Sequence, residues 1–323
     1  MNNSPKESLE ASLILAERFP LVSVGIPTYN RKEKLVRLLN SILESNYPKD
    51  KLEIIVVDDA STDGTYEVVK RKFPQVRIIQ NKRELLVSGS RNVCLKNAKG
   101  KYIFLIDDDN IVDKNCILEL VGVMERSSKI GIVAPIMYYL KQPKRVWCAG
   151  VRRNMITSLT KYIGRDEIDC GQFRELIESA DFPNAFMIKR EIITKVGLFN
   201  EKDFPIHYEE ADFCERARRV GYKVVCHPKA KVWHDVPLSG KVKDKGVINE
   251  LRAYYAARNR ILFHKKYSEW WKFLIFVLMF NWLIMFHYLA IILFRSKKSF
   301  KERMKIIKSY LKGVLDGLVE WRY

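Results

Sequence analysis

Apolar residues along the first hundred positions come in short blocks separated by polar or helix-patterned stretches. Val22–Ile26 is an apolar run ended by Pro27 and predicts a strand. Leu35 to Leu43 carries Leu35, Leu38, Leu39 and Ile42 at helical spacing and stops before Pro48. Ile54–Val57 is a second β-branched run, Thr65–Lys72 a short helix closed by Pro74, and Val76–Ile79 a third strand. Ser88–Ala98 fits a helix with Gly100 as its stop, and Tyr102–Ile106 is a fourth strand. Strand and helix alternating in this way predict an α/β domain with a mostly parallel sheet flanked by helices. Beyond residue 110 the pattern weakens. Ile130–Met137 and Ala185–Ile188 predict strands and Glu209–Val220 a helix, while 140–182 shows little periodicity and reads as loops.

From Asn249 onward the pattern is helical again. Phe273–Phe294 holds 22 residues without a formal charge. As a helix it would reach about 33 Å, enough to cross a bilayer core. Basic residues bracket it, with Lys265, Lys266 and Lys272 before and Arg295, Lys297, Lys298 and Lys301 after. A span would put one cluster on the wrong side, whereas an in-plane or re-entrant helix keeps both on the cytoplasmic surface. A buried core helix or a dimer interface would give the same run. The following Phe300–Leu318 carries Met304, Ile307, Leu311, Val314 and Leu315 on one face and lysines on the other, which suits a helix on anionic lipid or an ordinary surface helix.

Charge sharpens this division. The chain has 323 residues, 57 Lys+Arg and 38 Asp+Glu, for a net charge of +19. Residues 241–323 hold 18 basic against 6 acidic residues, while the first 240 are much closer to balance. The expected organisation is an N-terminal extension (1–20), a catalytic domain (21–240) and a C-terminal helical, membrane-associating region (241–323). Residues 1–20 lack a basic stretch followed by an apolar run, so no signal peptide is expected. Cys94, Cys116, Cys148, Cys170, Cys214 and Cys226 are scattered without metal-site spacing and read as buried thiols in a reducing compartment. These features predict a location on the cytoplasmic face of the cell membrane.

The carboxylates carry the chemistry. Asp58-Asp59 follows the second strand, Asp107-Asp108-Asp109 the fourth, and Pro27-Thr28-Tyr29-Asn30 the first. The carboxyl edge of an open α/β sheet is where ligands bind. Three adjacent carboxylates repel one another, and a hard divalent ion would offset them. There is no G-x-G-x-x-G after the first strand and no G-x-x-x-x-G-K-[ST], which removes most support for dinucleotide oxidoreductases and P-loop NTPases. Gly89-Ser90-Arg91-Asn92 opens a predicted helix and could hold a phosphate through backbone amides and the Arg91 fork, although capping alone would explain it. His207-Tyr208-Glu209-Glu210-Ala211-Asp212 starts another helix, where acids suit the dipole but could also supply a general base.

Together these segments resemble a family 2 inverting glycosyltransferase of the GT-A fold, similar to bacterial and archaeal rhamnosyl-, galactofuranosyl- or N-acetylglucosaminyltransferases. The resemblance rests on Val22–Arg31, Val56–Thr65, Gly89–Asn92, Lys101–Asp109, Tyr208–Ala217 with Gly221-Tyr222, and Pro228–His234, in matching order over about residues 20–235. It implies that Pro27, Tyr29 and Arg31 line the nucleotide pocket, that Asp59 meets the base, and that Arg91 meets the base or the diphosphate. Asp107-Asp108-Asp109 corresponds to the D-x-D motif. Asp107 and Asp109 would meet donor ribose and Mn²⁺ or Mg²⁺, with His234 as a further metal ligand and Asp108 on the donor side. Glu210 matches the catalytic base, usually Asp in the family, with Glu209 and Asp212 as alternatives. Asn184-Ala185 stands beside the acceptor. The implied reaction moves a sugar from a nucleotide-sugar donor to a hydroxyl acceptor, either a lipid-linked saccharide or polyprenyl phosphate at an anionic membrane surface or a soluble saccharide. Competing readings are an inactive GT-A scaffold, a nucleotidyltransferase and a basic nucleic-acid-binding protein. The last is disfavoured because the basic excess brackets an apolar segment.

Overall fold

A computed structural model describes residues 19–238 and 249–320. Most of the expected N-terminal extension therefore lies outside the described residues, as do the first residues of the expected C-terminal region. The first half alternates as its apolar blocks require: β1 (Val22–Thr28), α1 (Lys32–Leu43), β2 (Leu52–Asp58), α2 (Thr65–Lys72), β3 (Arg77–Gln80), α3 (Leu86–Asn97) and β4 (Tyr102–Ile106). A short β5 (Asn110–Val112) and α4 (Cys116–Arg126) follow. In α1 the four residues at helical spacing are the ones buried against the sheet. All five residues of β4 are buried, as expected of a strand covered on both faces.

The second half departs from the expectation of loops. β6 (Ile130–Tyr139) is paired by β7 (Gln142–Cys148), and β8 (Val151–Arg153) and β9 (Thr160–Tyr162) form a separate hairpin. Then come β10 (Ile177–Glu178), β11 (Ala185–Lys189), α5 (Glu191–Val196), α6 (Glu209–Arg219) and the long β12 (Lys223–His234). The strands between 142 and 178 are short and their outward positions are polar, so their pairing is set by β6 and β12 and leaves little periodicity. The main sheet runs β10-β12-β6-β11-β4-β1-β2-β3. It is parallel through β4-β1-β2-β3 and through β12-β6, and β11 joins these two blocks antiparallel to both neighbours. Two apolar clusters fill its two faces. Five of the six cysteines are buried, but Cys170 is exposed, because it lies in a turn beyond the core.

Three helices complete the chain: α7 (Glu250–Tyr267), α8 (Trp270–Arg295, with π-helical turns at Phe276–Phe280 and Ile291–Arg295) and α9 (Phe300–Val319). Helix α9 opens with a capping box between Ser299 and Glu302. Ala253, Ala257 and Ile261 of α7 pack with Phe276, Met285 and Ile292 of α8 and with Ile306, Ile307, Tyr310 and Val314 of α9. The apolar face of α9 expected to lie on lipid is therefore largely spent inside the protein, with Leu315 left exposed. The outward face of α8 carries Leu274, Leu278, Met279, Trp282, Leu283 and Phe286, all exposed. By length and composition α8 could cross a membrane. Helix α7 is bonded to the α/β layer: Arg258 donates to the Asp203 carbonyl at 2.8 Å, and Asn259 Nδ2 donates to the carbonyls of Ile206 at 2.9 Å and His207 at 3.0 Å.

Candidate active site

The carboxyl ends of β1, β2 and β4 open into a cleft of about 1470 Å³. Pro27, Tyr29, Arg31, Asp59, Arg91 and Asp107 through Asp109 all line it. Asp59 Oδ1 accepts from Asn81 Nδ2 at 2.7 Å and from the Leu85 amide at 2.8 Å, which fixes the carboxylate at the edge of the cleft.

Behind the cleft, Arg91 is 1% exposed and ties three elements together. Its Nη2 donates to Asp107 Oδ1 at 2.9 Å, and its Nη1 donates to Glu210 Oε1 at 2.7 Å and lies 3.6 Å from Glu209 Oε1. Since α3 begins at Leu86, residues 90–92 lie beyond its first turn and their amides serve the helix. The expected phosphate cradle is therefore not formed by those amides, and the Arg91 fork is directed at carboxylates. Nearer the opening, Arg31 Nη1 donates to Asp108 Oδ1 at 3.0 Å and to Asp109 Oδ2 at 2.9 Å, and Thr28 Oγ1 donates to Asp108 Oδ2 at 2.7 Å.

These surroundings separate the acids. Burial pushes Asp107 above the usual carboxylate range against the pull of Arg91. Burial also raises Asp108 to about 6 despite Arg31. Burial opposes ionisation of Asp109 too, but His234, Arg31 and Lys34 outweigh it and hold the group down to about 2. Glu209 is pushed well above its ordinary value, first by burial and then by the charge of Glu210.

His234 closes β12 with Nε2 3.2 Å from Asp109 Oδ1 and 2.8 Å from Asn184 Nδ2, and the Trp147 ring lies edge-on at 4.5 Å. Asp109 Oδ1 and His234 Nδ1 are buried without a hydrogen-bond partner. Among the described residues, no three His, Cys, Asp or Glu side chains gather closely enough to hold an ion alone. One carboxylate oxygen and one imidazole suit a hard divalent cation that completes its shell with substrate phosphate and water, and the unbonded Asp109 Oδ1 fits that role.

Glu209 and Glu210 are delivered by a strained turn. His207 and Tyr208 hold φ of 65° and 69°, left-handed values that cost about 1–3 kcal/mol each in a residue other than glycine. Asn259 of α7 restrains that turn through the Ile206 and His207 carbonyls. Both glutamates line the cleft. Asp212, the third candidate base, does not: it is 0% exposed, with Oδ2 accepting from Arg216 and Oδ1 from Lys266 and Tyr267, because the next helical turn points it into the α6–α7 contact. Asn184 lines the cleft with φ of 84°. The Ala185 methyl instead belongs to the apolar core, since successive strand residues face opposite ways.

The sequence model of the family described as Glycosyl transferase family 2 matches residues 23–197. This chain belongs to glycosyl transferase family 2. The matched span runs from β1 through the Asp107–Asp109 cluster to the end of α5. The chain is 32% identical over 106 residues to the poly(ribitol-phosphate) β-N-acetylglucosaminyltransferase TarS of Staphylococcus aureus, covering 32% of this chain and 18% of that protein. It is 28% identical over 239 residues to the probable glycosyltransferase YdaM of Bacillus subtilis, covering 70% of this chain and 53% of that one. It thus spans between about a fifth and about half of these relatives. Its fold is similar to that of the mannosyltransferase PcManGT from Pyrobaculum calidifontis, solved with GDP-Man and Mn²⁺, at a TM-score of 0.56 and 17% identity over 94% of this chain and 88% of that one. It is also similar to S. aureus TarS 1-349, at 0.51 and 16% over 92% and 90%. The family fold is therefore the GT-A-like α/β fold seen here.

Some supporting contacts escaped the sequence reading. Thr28, read only as part of a polar cluster, donates to Asp108 across 80 positions, Asn110 donates to the Asp107 carbonyl from the unforeseen β5, and Trp147 of the unforeseen β7 packs on His234. Arg252 and Arg260 line the same cleft. The signal for Arg260 was Arg258-Asn259-Arg260 set between the apolar stretches Ala253–Ala257 and Ile261–Phe263.

Proposed function

We propose that this chain is an inverting glycosyltransferase (EC 2.4) that transfers a sugar from a nucleotide-sugar donor to the hydroxyl of a lipid-linked saccharide or polyprenyl phosphate at the cytoplasmic face of the membrane. The observation that carries the reading is the convergence of Glu210, Asp107, Asp109 and His234 in one cleft, with Arg91 linking Glu210 to Asp107. Family membership supports the reaction class. In this reading Pro27, Tyr29, Arg31 and Asp59 hold the nucleoside and Asp107 and Asp108 the donor ribose side. Glu210 takes the proton from the acceptor hydroxyl as that oxygen attacks the anomeric carbon, and the sugar inverts in one displacement. Glu209, whose carboxyl is pushed upward first by burial and then by the charge of Glu210, stands beside Glu210 on the same turn. Asn184 keeps His234 in place. Asp109 and His234 would hold Mn²⁺ or Mg²⁺, which when bound supplies charge to the departing nucleoside diphosphate. That PcManGT, similar in fold, was solved with GDP-Man and Mn²⁺ supports that choice. The exposed apolar face of α8 between basic termini supports an in-plane membrane contact.

General-base assistance contributes about 10²–10⁴-fold. Glu210→Gln should therefore reduce single-turnover transfer by that range while nucleotide-sugar binding, read by thermal shift with Mn²⁺, persists. Retention of more than about a tenth of the wild-type rate would remove Glu210 as the base. Asp109→Ala should lose the Mn²⁺-dependent part of the thermal shift as well as transfer.

A further inference from the structure

Three of the guanidinium groups lining the cleft are matched by carboxylates: Arg31 by Asp108 and Asp109, Arg91 by Asp107 and Glu210, Arg153 by Asp181. Helix α7 presents Arg252, Ala256 and Arg260 to the same cleft at successive helical turns. Arg260 is 7% exposed, yet among the described residues no carboxylate pairs with it. Its Nη1 donates to the Tyr310 hydroxyl at 3.1 Å, and its guanidinium lies 4.9 Å from the Tyr288 ring centre. The Arg252 guanidinium makes no ion pair with another described side chain, and burial and then Arg31 hold it below its ordinary value against the pull of Glu209, Asp107 and Glu84. A buried guanidinium facing a cavity with only hydroxyls and rings around it has charge left for an anion. Lys297 and Lys298, in the turn between α8 and α9, line the same cleft, Lys298 with Nζ 3.8 Å from Glu302 Oε1. Tyr208 is coupled to it: burial would raise its phenol, but Arg260 and Arg153 outweigh burial and hold it below its ordinary value.

We propose that Arg252 and Arg260, with Lys297 and Lys298, form a phosphate subsite for the acceptor, taking the phosphate ester of a lipid-linked substrate while its sugar hydroxyl reaches Glu210. The subsite deepens the membrane-acceptor reading and rests on it. Position favours an acceptor over a second donor contact. Arg252 stands near enough to Asp107 and Glu209 to feel their charge, whereas Arg260, Lys297 and Lys298 lie on α7 and the α8–α9 turn and adjoin the helix whose outward face is Leu278, Met279, Trp282, Leu283 and Phe286. A phosphate held here lets an attached hydrocarbon chain leave along that apolar face. The ionic subsite fixes the head of the acceptor, and α8 accommodates the tail. Ala256, between the two arginines, leaves room that a longer side chain would fill.

The test uses the full chain in flotation assays with phosphatidylcholine vesicles, with and without undecaprenyl phosphate. Wild type is expected to bind both and to prefer the phosphate-bearing vesicles. Arg252→Gln and the double change Lys297→Gln/Lys298→Gln, both at accessible positions, should each lower that preference by roughly tenfold, the loss expected for a charge-assisted contact. They should leave binding to plain vesicles and the Mn²⁺-dependent thermal shift with nucleotide sugar unchanged. Arg260→Lys should retain part of the preference and Arg260→Gln should lose it. Unchanged preference in the Arg252 and lysine variants overturns the subsite, as does loss of the nucleotide-sugar shift in its place. A soluble polyol phosphodiester that competes as well as the lipid overturns the lipid assignment. Binding to plain vesicles without any preference also overturns the subsite while the membrane reading stands, whereas no vesicle binding at all removes the membrane reading itself.

Discussion

Arg91 is the residue on which the catalytic edge depends. It is fully enclosed, and it faces carboxylates contributed by the end of β4 and the start of α6. Burying one cation among three acids is tolerable only while they share its charge. Arg91→Gln leaves Asp107, Glu209 and Glu210 to repel one another without a buried counter-charge. We expect a loss of about 3–5 kcal/mol in denaturant unfolding at pH 8, the range for breaking a buried pair. Because Asp107 and Glu209 already sit above the usual carboxylate range, they take up protons readily as pH falls. The difference between variant and wild type should therefore shrink at pH 5. A penalty independent of pH would mean that Arg91 matters for its shape and packing against Phe186 and Phe199 rather than for its charge.

At the scale of elements, the close seat of α9 on α7 sets where the cleft arginines stand. A Cβ built on Gly313 would lie 2.3 Å from the Tyr254 carbonyl oxygen, and one on Gly317 would lie 3.0 Å from that of Arg258. Both obstacles are backbone and cannot rotate away. Gly313→Ala should cost about 1–3 kcal/mol by overpacking, read as a lower midpoint in thermal unfolding. An unchanged midpoint would mean that the two helices part without penalty.

The elements also show why the sequence was legible in one half and opaque in the other. β1 to β4 and their helices announce themselves because each strand is buried on both faces and each helix buries one stripe, so apolar runs and helical spacing map directly onto structure. The carboxylates at their ends were legible for the same reason: a residue that follows a parallel strand has only one place to be. The hairpin of β8 and β9 is three residues a side and half exposed, so no alternation could reveal it. Asp212 and Ala185 were misplaced because a motif gives neighbours in sequence, whereas a helix or strand turns adjacent side chains to different sides. The bond from Arg91 to Glu210 was not legible because the two are 119 positions apart.

At the scale of the molecule, the α/β layer and the helical layer meet around groups that must stay uncharged. His207 is held down to about 4, chiefly by burial and then by Arg252 and Arg260, and His264, stacked on Phe276, is held down to about 3 for the same leading reason. Both are therefore neutral in the folded state well below the pH at which an unfolded chain protonates them. The stability contributed by these two histidines is fully present above about pH 6.5 and falls as the unfolded state takes up protons that the folded state refuses. Between pH 6.5 and 5 the loss should be on the order of 2 kcal/mol per histidine. Asp107, Asp108 and Glu209, raised in the folded state, act in the opposite direction over the same interval, so the histidine part is read as a difference: relative to wild type, the unfolding midpoint of His264→Phe should gain between pH 7 and 5. The same pH dependence in variant and wild type would contradict it.

The outward face of α8 has a kinetic consequence under the proposed in-plane placement. An enzyme that rests on a surface through one helix, with its cleft opening beside that helix, meets its two substrates in different dimensions. The nucleotide sugar arrives from the bulk and is counted per volume. The lipid acceptor arrives by lateral diffusion and is counted per area. Spreading the same amount of acceptor over more inert lipid then slows the reaction, while enlarging the aqueous volume starves it only of donor.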